Sequence, residues 1–184
     1  MSDCLVRSRP KSEDITLSLL RRAKAAGFTA LVITLDTNVL GWRTHDVDAS
    51  YVPFIHGVGG QAGFSDPVYM GRCGETPITD DDIPEFPYDY KEIDRKIKAG
   101  DAKLKKRMEL GAGWIAETMT GVFRDWEDLK FMRKNWDGPI VLKGIQSVEV
   151  RFSTQQLWRS NLSRRFLVGC TIGGRAWNEW HSGL

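Results

Sequence analysis

The sequence predicts an α/β chain built on parallel strands, and three observations carry that prediction. Leu31-Val32-Ile33-Thr34-Leu35-Asp36-Thr37 opens as a short apolar run, meets no turn residue before Thr37 and ends in polar groups. A parallel strand buried on both faces reads this way. Pro139-Ile140-Val141-Leu142-Lys143-Gly144 repeats the design and delivers one lysine to its carboxyl end. Each run follows a helix-like stretch after a very short connection, which makes two αβ units of the kind that build parallel sheets. In such folds ligands and catalytic groups gather at the carboxyl ends of the strands. Thr34, Asp36 and Arg43 lie at or just past the first end and Lys143 at the second, so one shared site is expected.

The first helix is expected from Ser12, a good N-cap, with Glu13 and Asp14 in its first turn. Ile15, Leu19, Leu20, Ala23 and Ala26 form its apolar stripe, and Gly27 closes it. Residues 1–11 carry no periodic pattern and are expected to lack fixed structure. From Asn38 to about Asp89 five prolines and seven glycines break every pattern. This stretch leaves the ligand end of the first strand, so it reads as a long lid loop. Residues 90–110 read as a charged helix whose mixed lysines and carboxylates make a solvated face, not a nucleic-acid patch. Gly111-Ala112-Gly113 reads as a break before a short helix over 114–120. Asp125 then caps a helix marked by Trp126, Leu129, Met132 and Arg133, stopped by Gly138-Pro139. After about Glu149 arginine and tryptophan accumulate and acidic residues nearly vanish. One strand is suggested there, Arg164–Gly169.

At 184 residues the chain is long enough for one domain with a sizeable core, and short for a complete eight-fold barrel of roughly 250 residues. Hydrophobic content of 41% and charge of 27% are those of a globular protein, and a net charge of +2 argues neither for nor against a nucleic-acid partner. Cys4, Cys73 and Cys170 are widely spaced without metal-ligand spacing, which suits free thiols in a reducing, cytoplasmic compartment. No apolar run is long enough for a membrane span and no secretory pattern opens the chain.

Four residues carry candidate chemistry. Asp36 can orient a histidine and stabilise its imidazolium, or cap a helix or loop. Arg43 can clamp a substrate carboxylate with two parallel hydrogen bonds, or form a surface ion pair. Lys143 ends a buried strand, so its ammonium must reach a phosphate, a flavin ring edge or a structural carboxylate. Thr34 can bond a ligand or close the strand end. None of His45, His56 and His181 has a metal partner at useful spacing.

Thr34-Leu35-Asp36-Thr37, followed by Leu40-Gly41-Trp42-Arg43 and Asp46, resembles the strand-four segment of FMN-dependent 2-hydroxy-acid oxidases and dehydrogenases. Ile140-Val141-Leu142-Lys143-Gly144 resembles their strand five. Tyr51-Val52-Pro53-Phe54 and Phe64-Ser65-Asp66-Pro67-Val68 lean towards the lactate 2-monooxygenase branch. The resemblance covers about residues 10–149. It implies a TIM (β/α)8 barrel, present here in part, over residues 12–149, and a tail over 150–184 outside the family. It also implies FMN as cofactor and a small 2-hydroxy acid such as lactate as substrate. Thr34 and Lys143 would contact FMN, Arg43 would bind the substrate carboxylate, and Asp36 would support the catalytic histidine. That histidine belongs to a Ser-Asn-His-Gly-Gly-Arg segment in the family, and the nearest echo here, Ile172-Gly173-Gly174-Arg175, has isoleucine in its place. The alternatives are a non-catalytic pseudoenzyme or partner-binding fragment, and a phosphate-binding barrel enzyme using Lys143. Open sheet edges predict self-association. Thr34 and Lys143 are expected as neighbours on adjacent parallel strands, with the lid bringing Arg43 near Asp36.

Overall fold

The computed structural model describes residues 3–6, 10–36, 39, 41–42, 44–48, 53–78, 89–122, 125–145, 166–172 and 175–177. The chain divides into two units. One comprises residues 1–9, 20–38 and 121–184, the other residues 10–19 and 39–120.

The first unit holds the sheet. Its strands are β1 (Asp3–Val6), β2 (Ala30–Thr34), β3 (Ile140–Lys143), β4 (Phe166–Ile172) and β5 (Arg175–Trp177), and they lie in sequence order. The first four are parallel to one another, and β5 returns antiparallel to β4. Doubly wound sheets reverse their strand order at a switch point, whereas the wall of a (β/α)8 barrel runs in sequence. The observed order is sequential, without a switch point among the described strands. In β2, Leu31 and Ile33 are buried, and in β3 Ile140 and Leu142 are. Helix α7 (Trp126–Asn135) and the end of α1 (Glu13–Ala25) cover them with Leu129, Met132, Trp136, Leu20 and Ala23. Leu142 is fully buried, so truncating it to alanine should cost about 2–5 kcal/mol. Asp125 caps α7 as expected, and Asp128 answers from the third position to complete a capping box.

The second unit is helical. It contains the start of α1, α2 (Thr44–Asp48), a 3₁₀ turn (Pro53–His56), α3 (Gln61–Phe64), α4 (Pro67–Arg72), α5 (Tyr90–Lys98) and α6 (Ala102–Thr118). Ile15, Phe64, Tyr69, Met70, Leu110 and Trp114 form its core. The Tyr69 and Trp114 rings meet edge to face at 5.0 Å.

Three expectations differ from this picture. Residues 1–11 include β1, whose backbone supplies the strand next to β2; three apolar residues in a row are too few to show a period. Four short helical elements, α2, the 3₁₀ turn, α3 and α4, occupy residues 44–72 where a structureless lid was expected. The signal was present at Asp66-Pro67. Asp66 Oδ1 accepts from the amides of Val68 and Tyr69 at 3.0 Å each, Oδ2 accepts from the Ser18 hydroxyl at 2.7 Å, and Pro67 opens α4. Residues 79–88, with the acidic run, lie outside the described residues. The break expected at Gly111–Gly113 does not occur. Instead α5 ends near Gly100, at φ +94°, and Asp101 caps an unbroken α6. Gly111 and Gly113 serve close approach. A Cβ at Gly111 would lie 2.6 Å from the Phe54 carbonyl oxygen, and one at Gly113 would lie 2.7 Å from the Tyr69 hydroxyl. The strand suggested at Arg164–Gly169 is present as β4, shifted to Phe166–Ile172 and parallel to β3.

Candidate functional site

The carboxyl edge of the parallel sheet gathers three of the four candidate residues. Strands β2 and β3 pair in a register that sets Leu31 opposite Ile140, Ile33 opposite Leu142 and Thr34 opposite Lys143. The pairing continues one step further, where the Leu35 amide donates to the Lys143 carbonyl at 2.9 Å. The expected juxtaposition of Thr34 and Lys143 is therefore present. The two ends differ in solvation: Thr34 is buried, while about half of the Lys143 side chain is exposed.

The Thr34 hydroxyl is buried and, among the described residues, has no hydrogen-bond partner. A hydroxyl left in this state destabilises the fold, by roughly 1–3 kcal/mol. Such an orphan beside a cation at a sheet edge is what a polar ligand would satisfy.

Asp36 lies two residues beyond Thr34. Its Oδ1 stands 3.4 Å from Lys143 Nζ, with the carboxylate about one third exposed. Gly144 turns the chain directly after Lys143 at φ +95°. Its missing side chain leaves the space that the Asp36 carboxylate fills, since a Cβ there would lie 2.5 Å from Asp36 Cγ. Gly144 was missed as a site residue in the sequence; the Lys-Gly pair at a strand end was the available signal. Arg43, and with it the expected approach to Asp36, lies outside the described residues.

The second unit has its own polar pair, a buried histidine and a half-exposed carboxylate. His56 is 7% exposed, and its Nε2 lies 2.8 Å from Asp94 Oδ1, tying the 3₁₀ turn to α5. A carboxylate only accepts, so Nε2 carries the donated proton. His45 is exposed in α2. Among the described residues no cluster of three or more histidine, cysteine or acidic side chains could hold a metal ion. No helix among them is long and apolar enough to cross a membrane.

Residues 7–151 match the model of a family described as FMN-dependent dehydrogenase. An FMN-dependent alpha-hydroxy acid dehydrogenase of Schizosaccharomyces pombe is 42% identical over 138 residues, covering 74% of this chain and 28% of that protein. A protein of the same description from Penicillium citrinum is 41% identical over 138 residues, with the same coverage of both chains. An L-lactate dehydrogenase of Vibrio parahaemolyticus is 30% identical over 171 residues, covering 90% of this chain and 42% of that protein. Ninety per cent of the chain cannot fit within its first 149 residues, so this last similarity continues into the segment expected to lie outside the family. The chain spans less than a third of the two fungal relatives and about two fifths of the bacterial one.

Proposed function

Because the chain belongs to the FMN-dependent dehydrogenase family, whose cofactor is FMN, we propose that it forms part of a barrel for FMN-dependent oxidation of a small 2-hydroxy acid such as lactate, nearest in kind to lactate 2-monooxygenase. The observation that carries this reading is the unpartnered Thr34 hydroxyl, held in register with Lys143 at the carboxyl edge of a sequentially ordered parallel sheet.

The residues fit the cofactor. The Thr34 hydroxyl would bond a polar edge of the flavin ring. The Lys143 ammonium would favour negative charge at the N1 side of the reduced ring. When bound, FMN supplies a two-electron acceptor for the C2–H of the hydroxy acid. Arg43 would hold the substrate carboxylate through paired N–H donors, which orients C2. Asp36 would support an imidazolium formed as the base takes the hydroxyl proton. Ile172 stands where the family resemblance puts that base. General-base catalysis is worth about 10²–10⁴ in rate, so this chain alone should bind the cofactor without turning over lactate.

The test is an FMN titration of the purified protein followed by flavin absorption and fluorescence, then anaerobic addition of lactate. Saturable binding with no bleaching by lactate is expected. Absence of FMN binding would overturn the cofactor reading, and lactate-dependent bleaching would overturn the inactivity. A second reading, a non-catalytic partner-binding member of the family, rests on the same isoleucine; it gains if no FMN binds.

A further inference from the structure

We infer that Gly144 is a positioning residue: having no Cβ, it admits the Asp36 carboxylate against the end of β3 and so steers the Lys143 ammonium over the edge where Thr34 lies. The inference deepens the FMN reading and rests on it only for the identity of what the ammonium meets.

The geometry leaves little freedom. A Cβ on Gly144 would stand 2.5 Å from Asp36 Cγ, 2.7 Å from Asp36 Cβ and 2.8 Å from Asp36 Oδ1. Rotation about χ1 could carry Cγ and Oδ1 away, but Cβ is fixed to the backbone. Any side chain at 144 must therefore displace the main chain of one segment or the other, and the 3.4 Å approach of Asp36 to Lys143 goes with it. Lysine carries a compact charge on a flexible four-carbon stem, and Lys143 is about half exposed, so the strand alone does not fix where Nζ sits. The carboxylate does. Gly144 also adopts φ +95°, which any L side chain resists, so a structural contribution must be separated from the positioning one. Gly27 provides the control. It has φ +82°, belongs to the same unit, and has open space within 4 Å of its added Cβ. Substituting it imposes comparable strain with no collision.

The experiment is competitive acylation of lysines by acetic anhydride in the protein without cofactor, read peptide by peptide by mass spectrometry with the exposed Lys134 as reference. Loss of the facing carboxylate releases the Lys143 ammonium from the hydrogen bond that holds it, so the amine meets the reagent more readily. A half-exposed pair corresponds to about a two- to fivefold rise in its relative rate. Gly144→Ala and Asp36→Asn should both give this rise, and Gly27→Ala should leave the rate unchanged. A Gly144→Ala rate equal to wild type overturns the inference, as does an equal rise in Gly27→Ala. Should Gly144→Ala not fold, Asp36→Asn decides alone: a rise supports the steering pair and no rise overturns it. In parallel, FMN titrations should show weaker binding for Gly144→Ala than for Gly27→Ala. If the unsubstituted chain binds no FMN, the cofactor reading fails while the acylation rates still decide the role of Gly144.

Discussion

Thr34 and Lys143 face each other as register partners on adjacent parallel strands, one with a buried hydroxyl that has no partner among the described residues and the other with a half-exposed ammonium. This pairing makes stability and ligand binding respond in opposite directions to one substitution. Thr34→Val removes a hydroxyl that nothing among the described residues satisfies, while nearly keeping the shape. The chain without cofactor should gain about 1 kcal/mol in urea unfolding. The same variant should bind FMN more weakly in a fluorescence titration. Loss of stability without ligand would contradict the orphaned state of the hydroxyl.

Gly63 and Gly71 predict opposite outcomes within the helical unit. A Cβ at Gly63 would lie 2.4 Å from Trp114 Cδ2, within the core, whereas one at Gly71 would meet nothing within 4 Å. Gly63→Ala should cost about 1–3 kcal/mol through overpacking. Gly71→Ala should stabilise α4 by up to about 1 kcal/mol, because alanine loses less backbone entropy in a helix. Thermal melts of the two variants check both signs.

Tyr69 makes the helical unit sensitive to alkali. Burial, and then the neighbouring Cys73, raises its phenol well above the ordinary value of 10.0. As pH rises past that value the unfolded phenol ionises first. The contribution is therefore complete below pH 10 and is lost progressively above it. The hydroxyl also donates to the Leu110 carbonyl at 2.6 Å. Tyr69→Phe should cost about 1 kcal/mol at neutral pH and flatten the alkaline limb of the stability curve. Denaturant midpoints across the alkaline range measure both effects.

Asp137 governs a small part of the acid limb. A hydrogen bond from Lys24, at 2.7 Å, holds its carboxyl below the ordinary value of 3.8. Folding therefore favours the ionised form. The benefit is full above pH 3.8 and disappears as pH falls through the depressed value. Asp137→Asn should make stability less steep in that window, and added salt should do the same to the unsubstituted chain. An unchanged acid slope in the variant would show that the pair does not form in solution.

The sheet was legible because β2 and β3 are nearly continuous apolar runs, each ended by a polar group, and because α7 carries its own capping box. The site was legible as a convergence of strand ends. Thr34, Asp36 and Lys143 needed only a parallel pairing and the right register. What escaped depended on contacts between distant positions. Glycine reads as a break by propensity, yet Gly111 and Gly113 lie inside α6 because Phe54 and Tyr69 approach there. Gly144 reads as a simple turn until the Asp36 carboxylate is seen in the space its side chain would fill. Strand β1 is too short for periodicity to announce it. The helices over 44–72 were hidden by prolines and glycines, although Asp66-Pro67 is a strong local start signal.

The parallel seam between β2 and β3 also constrains how fast the molecule can assemble. Asp36 and Lys143 are 107 positions apart, so their strands meet only after a long stretch of chain has been gathered. Closing a flexible loop of that length carries an entropic penalty of about 4 kcal/mol before any ladder bond forms. The capped helices α4 and α7 need only local contacts to begin. In stopped-flow refolding, helical circular dichroism should therefore recover ahead of the fluorescence change that reports burial of Trp136 against the seam.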